Sequence, residues 1–475
     1  MGIFGSLWTI LVRHATGCAR LAACGLLSVG AFHAALAQRP LDGLWIGGHL
    51  SDEGYLYVRM TVTGDSAVID LPFQLRNGQR ARVAQSGDGA TFEFRQRAGL
   101  AQAVTQLRGD TLAGVVRIGS GERDLRLTRM LPLPDDSVAR LSGIYENADG
   151  QLVTIGPTEL GTLTYMNFAT GENRSLFLTR SGFVAGPGLF IPHPPVWRLT
   201  SRGSAGGNAA EIRVRRGNAV EVAKRVHFGR EELRWTSGGV AISGSLIKPL
   251  GGKPPYPVVV FIHGSGPTTR ESFFGLPYYF AMHSVASLVY DKRGVGQSGG
   301  AYVHNVDSAR FELLAGDAIA GINAIRGRAD IDTTRIGVWG ISQAGWIVPI
   351  VAARSPDVDF TIIVSGPVAT LGEEGYFSTL MGDDGDGPRL ARAEVAERMR
   401  TYRPSGFDPV PYLRQQRAPG LWIFGGEDNS VPVDVSMSNL KVLQKEGKPF
   451  EIEYFPKGQH VLWETDDGSR QQLPL

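Results

Sequence analysis

Cysteine is almost missing from this chain: two residues among 475, Cys18 and Cys24, both within the first 37 positions. Beyond that leader no disulfide can form, so the folded state must be held by its hydrophobic cores. A surplus of either charge is also lacking. Lys and Arg total 48 against 46 Asp and Glu, and the leader contributes Arg13 and Arg20 without any acid, which leaves the remainder close to neutral. A neutral chain has no electrostatic basis for holding nucleic acid or an anionic membrane. After the leader no apolar run is long enough to span a bilayer. Only 20% of residues are charged and 43% are hydrophobic, which excludes a disordered chain. Glycine (62) and proline (27) are plentiful but follow no collagen-like period. At about 100–200 residues per domain, the length predicts two or three domains.

In the leader, an apolar run from Leu21 to Leu36 follows the two arginines, and Ala35-Leu36-Ala37 supplies a small-x-small cleavage site before Gln38. This layout predicts a secretory signal peptide over 1–37 and an exported protein, periplasmic or secreted. Leu21-Ala22-Ala23-Cys24 resembles a lipoprotein cleavage box. Arg13 and Arg20 interrupt the apolar stretch that should precede such a cysteine, which favours export over anchoring at Cys24.

From 38 to 134 the hydrophobic pattern has period 2 and is broken by Gly, Asn and Asp, as in Tyr55-Leu56-Tyr57-Val58-Arg59-Met60 and Ala67-Val68-Ile69-Asp70-Leu71. Short alternating runs with frequent turns predict an antiparallel sandwich or barrel. Leu131-Pro132-Leu133-Pro134-Asp135 reads as a linker, and a second β-rich module follows over 135–225. Its opening, Leu141-Ser142-Gly143-Ile144-Tyr145, echoes Leu41-Asp42-Gly43-Leu44-Trp45. That echo fits either a duplicated module or two unrelated strand starts.

The pattern changes after Val226. Apolar strand-like runs such as Val258 to Ile262, Ala286 to Tyr290, Thr361 to Val364 and Leu421 to Phe424 alternate with longer helical segments. Phe311, Leu314, Ala318, Ile322 and Ile325 recur at helical spacing, with Gly327 as a stop. Residues 226–475 therefore predict an α/β domain with a mostly parallel sheet. The alternation pauses over about 367–419. The amphipathic stretch there, Leu390 to Tyr402, reads either as a lid helix over an acyl pocket or as a surface helix on the sheet.

A strict G-x-S-x-G search finds Gly296-Gln297-Ser298-Gly299-Gly300, but Ser298 is followed by loop residues rather than a helix. The overlapping Gly294-x-Gly296-x-x-Gly299 matches a dinucleotide fingerprint but opens no helix. Gly340-Ile341-Ser342-Gln343-Ala344-Gly345 is the stronger candidate. It joins the strand Arg335 to Trp339 to an apolar segment of helical length, and the small residues Gly340 and Ala344 suit a nucleophile elbow. His263-Gly264-Ser265-Gly266-Pro267 follows the strand that precedes the elbow strand by two. Asp428 follows Phe424, and His460 follows the last strand. The order Ser342, Asp428, His460 is that of α/β-hydrolases rather than of chymotrypsin-like or subtilisin-like enzymes.

These runs, with Asp291-Lys292-Arg293-Gly294-Val295-Gly296-Gln297-Ser298, resemble the α/β-hydrolase superfamily, nearest to bacterial exported serine aminopeptidase-like and dienelactone-hydrolase-like branches. The resemblance covers Val226 to the C-terminus. It implies Ser342 as nucleophile, His460 as general base and Asp428 as its orienter. It also implies Gln343 and Ser265 as oxyanion donors, and Asp291 to Ser298 as a structural loop. Glu427 is the alternative acid. His263, His283 and His304 have no partner at metal-ligand spacing, and Asp383, Asp384 and Asp386 lack a calcium-loop series, so neither metal nor organic cofactor is inferred. The expected activity is carboxylic-ester hydrolysis through an acyl-enzyme. A short-peptide-cleaving aminopeptidase or dipeptidyl-peptidase-like enzyme is the second reading, and a non-catalytic binding protein on a hydrolase scaffold the third.

Overall fold

A computed structural model describes residues 41–462, apart from 52–53, 72–75, 158–162, 181, 187–194, 204–206, 303–306 and 384–389. The leader with Cys18 and Cys24 lies outside the described residues, as do His304, Asp384 and Asp386.

The first body is an antiparallel sheet of nine strands. They are β1 (Gly43–Ser51), β2 (Gly54–Thr63), β3 (Ser66–Leu71), β4 (Arg76–Arg82), β5 (Ala84–Ser86), β6 (Gly89–Gln96), β7 (Gly99–Arg108), β8 (Thr111–Ile118) and β9 (Gly121–Met130). Their order is β4-β3-β2-β1-β9-β8-β7-β6-β5. The period-2 pattern is what buries one face: on β3, Ala67, Ile69 and Leu71 point into the core while Val68 is 42% exposed.

The second body is a closed barrel of β10 (Gly143–Asn147), β11 (Leu152–Pro157), β12 (Leu163–Asn167), β13 (Asn173–Thr179), β14 (Gly182–Ala185), β15 (Trp197–Gly203), β16 (Ala209–Arg216) and β17 (Ala219–Arg225). The linker residues 131–134 form no element and lead into a short helix, α1 (Asp135–Leu141). Asp135 and Asp136 in its first turn and Arg140 in its last complement the helix dipole, and buried Leu141 anchors it.

The two echoed openings do the same job in both bodies. Trp45 Nε1 donates to the Leu41 carbonyl at 2.8 Å, and the Tyr145 hydroxyl donates to the Leu141 carbonyl at 2.6 Å. Opposite each aromatic, on the last strand of its module, stands an arginine: Arg129 pairs with Trp45 and Arg225 with Tyr145. The guanidinium centres lie 4.2 and 4.8 Å from the two ring centroids. Arg129 also donates to the Asp42 carbonyl, and Arg225 Nη1 to the Ser142 carbonyl at 2.8 Å. A Cβ on Gly43 or Gly143 would crowd the arginine, within 3.2 Å and 1.9 Å of its Nη1 respectively. Burial pushes the Tyr145 phenol up to about 12. Tyr145→Phe removes its bond to Leu141 and orphans the 2.7 Å donation from Arg225, with an expected loss of about 1–2 kcal/mol in urea unfolding.

The third body has β18 (Gly229–Ser237), β19 (Val240–Lys248), β20 (Tyr256–Ile262), β21 (Ala286–Tyr290), β22 (Ile331–Ile341), β23 (Phe360–Val364), β24 (Gly420–Gly425) and β25 (Phe450–Phe455). Their order is β18-β19-β21-β20-β22-β23-β24-β25, antiparallel at β18 and β19 and parallel from β21 to β25. Strand β20 explains why a continuous apolar run is needed here. Val258, Val260 and Ile262 enter one core, Val259 and Phe261 the other, on opposite faces. Helices α3 (Ser308–Ile325) and α4 (Ala344–Arg354) pack in the first core, and α2 (Leu276–Met282) in the second.

Between β23 and β24 the insertion holds α5 (Leu371–Met381), α6 (Arg392–Thr401) and α7 (Val410–Gln415). A Thr370–Glu373 capping box starts α5, and Phe377, Leu380, Met381 and Val395 give α5 and α6 a small core of their own. Helix α8 (Val433–Lys445) lies between β24 and β25.

Candidate active site

Parallel strands end together, and the loops after β20, β22, β24 and β25 gather the candidate residues at one edge of the sheet. Ser342 sits between β22 and α4 with φ 57°, in the left-handed region. For a side chain with a Cβ that conformation costs about 1–3 kcal/mol, and it persists only where the surroundings enforce it. Here the Ser342 N–H donates to the Val364 carbonyl at 3.0 Å, and the Gly345 N–H to the Ser342 carbonyl at 2.8 Å. The tightness of the turn also explains its small neighbours. A Cβ on Gly340 would lie 2.6 Å from the Ala344 Cβ, so the alanine is tolerated because residue 340 is glycine.

Asp428 and His460 are brought into contact. Asp428 Oδ2 lies 2.9 Å from His460 Nδ1, with the carboxylate fully buried. Its other oxygen, Oδ1, accepts the N–H groups of Ser430 and Val431 at 2.8 and 3.0 Å. A carboxylate only accepts, so Nδ1 carries the ring proton and Nε2 keeps the lone pair. The Glu427 N–H donates to the Gly458 carbonyl at 2.9 Å, tying the acid loop to the histidine loop. Glu427 has a partner of its own: its carboxylate accepts from Arg392 Nε at 2.9 Å.

Gln343 opens α4, where the first N–H groups of a helix have no partner within it. Ser265 is exposed, in the turn after β20, and β20 pairs with the elbow strand through Ile262 and Gly340. A Cβ on Gly264 would lie 3.4 Å from the Ser342 Cβ, so this turn borders the serine directly. His263 is 3% exposed and packed against Phe273 and, edge to face, Tyr290. Burial, with the Lys292 charge beside it, pulls its imidazole down to about 3, which makes it a neutral core residue.

Ser298 has a structural role. Its Oγ donates to the Asp291 carbonyl at 2.7 Å and accepts the Ser243 N–H at 2.9 Å. Asp291 accepts from the buried Arg270 through both oxygens and from the Gln297 N–H. The run 291–298 is thus held rigid by internal bonds. Among the described residues no group of His, Cys, Asp or Glu is arranged to hold a metal ion.

Two residues near the site were not singled out in the sequence. Lys292 is buried beneath the 263–268 turn, and Arg392, the first residue of α6, bonds Glu427, the Asp428 carbonyl and Asn429. Their partners lie 26–28 and 35–37 residues away along the chain, beyond any local pattern.

Residues 271–473 match the model of the prolyl oligopeptidase family. The C-terminal region belongs to the α/β-hydrolase superfamily. Within it, this hydrolase domain falls among the serine hydrolases. Human dipeptidyl peptidase 8 is 26% identical over 256 residues, covering 50% of this chain and 26% of that protein. Esterase EstD of Thermotoga maritima is 25% identical over 258 residues, covering 44% of this chain and 60% of that protein. The chain therefore spans about a quarter of one relative and three-fifths of the other. Among solved structures, the acylaminoacyl peptidase of Pyrococcus horikoshii aligns at TM-score 0.39 and 17% identity, over 86% of this chain and 72% of that one. An esterase of Pyrococcus furiosus aligns at TM-score 0.38 and 19% identity, over 49% of this chain and 83% of that one.

Proposed function

We propose that the chain is an exported hydrolase of carboxylic esters that works through Ser342, His460 and Asp428. The reading is carried by one juxtaposition: a serine in left-handed backbone at a strand–helix turn after β22, with an aspartate–histidine pair on the loops after β24 and β25 of the same parallel sheet. His460 Nε2 takes the Ser342 proton as Oγ attacks the acyl carbon, and the carbonyl oxygen becomes an oxyanion facing the N–H groups of Gln343 and Ser265. Collapse expels the alcohol, which receives its proton from His460. Water, activated by the same histidine, then releases the acid and restores Ser342.

Ester is favoured over peptide because the carboxylate beside Asp428 in the acid loop, Glu427, is paired with Arg392 rather than open to a substrate ammonium. Peptide cleavage is the second reading, supported by a relative that is a dipeptidyl peptidase and by the family match. Export rests on the leader over 1–37. Incubation of the mature protein with a fluorophosphonate, followed by peptide mass mapping, is expected to give one adduct, on Ser342, absent from Ser342→Ala. An adduct on Ser298 would overturn the site. Turnover of short acyl esters well above that of aminoacyl anilides is the expected substrate pattern, and the reverse order would establish the peptidase.

A further inference from the structure

Among the described residues Lys292 is the only buried lysine, at 2% exposure. Its Nζ donates to the Gly264 carbonyl at 2.5 Å and to the Gly266 carbonyl at 2.8 Å, while its N–H donates to the Thr268 carbonyl at 3.3 Å. One residue thus grips three carbonyls of the turn that borders Ser342. The neighbouring carboxylate, Asp291, is engaged by Arg270 and the Gln297 N–H. Burying an ammonium that is bonded only to carbonyls is costly, and packing alone gives no reason to retain it.

Peptide geometry supplies a reason. The bond between Gly264 and Ser265 is trans, so its C=O and N–H point in opposite directions. A cation on the Gly264 oxygen therefore fixes the direction of the Ser265 N–H on the other side of the same plane. We propose that Lys292 is the positioning residue of the oxyanion pocket: it holds the Gly264 carbonyl so that the Ser265 N–H faces the reacting oxygen, and its charge polarises that peptide as negative charge develops there. This rests on Ser342 being the nucleophile.

The charged and titratable groups around Lys292 are Arg310 from α3, Tyr302 against Arg310 and the Gly266 backbone, His263 just after β20, and Asp291 and Arg293 on its own loop. Burial, with the Arg310 cation nearby, draws the ammonium down to about 7. The charge is therefore present below about 7 and lost as pH rises through that value. His460 acts oppositely, since it must be neutral to accept the serine proton. The wild type should show a rising acid limb and a falling alkaline limb.

The test compares wild type, Lys292→Met and Lys292→Gln on p-nitrophenyl acetate, with active sites titrated by fluorophosphonate. Per titrated site, kcat is expected to fall about 30- to 100-fold in Lys292→Met and less in Lys292→Gln, which keeps a neutral donor. KM should stay within about threefold in both, and the alkaline limb should disappear. A merely structural lysine would lower the number of titratable sites and leave kcat per site unchanged, and that result overturns the proposal. If neither variant folds, the wild type decides: activity per site that is flat from pH 7 to about 9 also overturns it. Failure of the wild type to label at Ser342 would instead overturn the underlying reading of the site.

Discussion

Asp428→Asn is expected to lower kcat/KM by about a thousand- to ten-thousand-fold while the protein stays folded. The asparagine oxygen can still accept the N–H groups of Ser430 and Val431, which now bond Asp428 Oδ1 at 2.8 and 3.0 Å. The loop therefore keeps its shape. The amide nitrogen, however, then faces His460 Nδ1 where a carboxylate oxygen stood at 2.9 Å. A donor there forces the ring proton onto Nε2, and the histidine has no lone pair left for Ser342. Initial rates on an activated ester and a thermal melt separate the two effects. A loss below about tenfold would remove Asp428 from the mechanism. Glu427 would then be the acid, in spite of its pairing with Arg392.

The second large effect is on stability. Asp317→Ala should destabilise the protein by about 3–5 kcal/mol in urea at neutral pH. The Asp317 side chain is fully buried and accepts from Arg293 at Nη2 and, at 3.0 Å, at Nε. Arg293 is nearly as buried, and its Nη2 also bonds the Ser237 carbonyl at 3.0 Å. Removing the carboxylate leaves a guanidinium without its counter-charge inside the domain, which costs more than the pair itself contributes. The double variant Asp317→Leu, Arg293→Met should therefore recover much of the loss. A single variant within about 1 kcal/mol of wild type would show that water or another group reaches Arg293.

The parallel strands of the third body were readable because burial on both faces demands unbroken apolar runs, as in Val258 to Ile262. The elbow was readable because its strain restricts residues 340 and 344 to small side chains. Closure of the second module was not readable. It depends on β10 meeting β17, a pairing between residues such as Tyr145 and Arg225 that no short window contains. Helix α1 was missed because seven residues after Leu-Pro-Leu-Pro carry too little period to register, and its anchor is one buried leucine. The contacts of Lys292 and of Arg392 were not readable for a related reason. A basic residue reads as solvent-facing until the fold brings it under a turn whose carbonyls need a donor.

The matching clasps on Trp45 and Tyr145 also say something about how such a chain is put together. In each module the first strand lies beside the last, β1 against β9 and β10 against β17. A segment that leaves the structure next to where it entered can be removed or inserted with its cut ends about 5 Å apart, the spacing of neighbouring strands. The arginine that clasps the first strand to the last belongs in each case to the same module, so each carries its own latch. The N-terminal half is thus built of units that each begin and end at one seam, and its length can change by a whole unit while the α/β domain behind it keeps its connections.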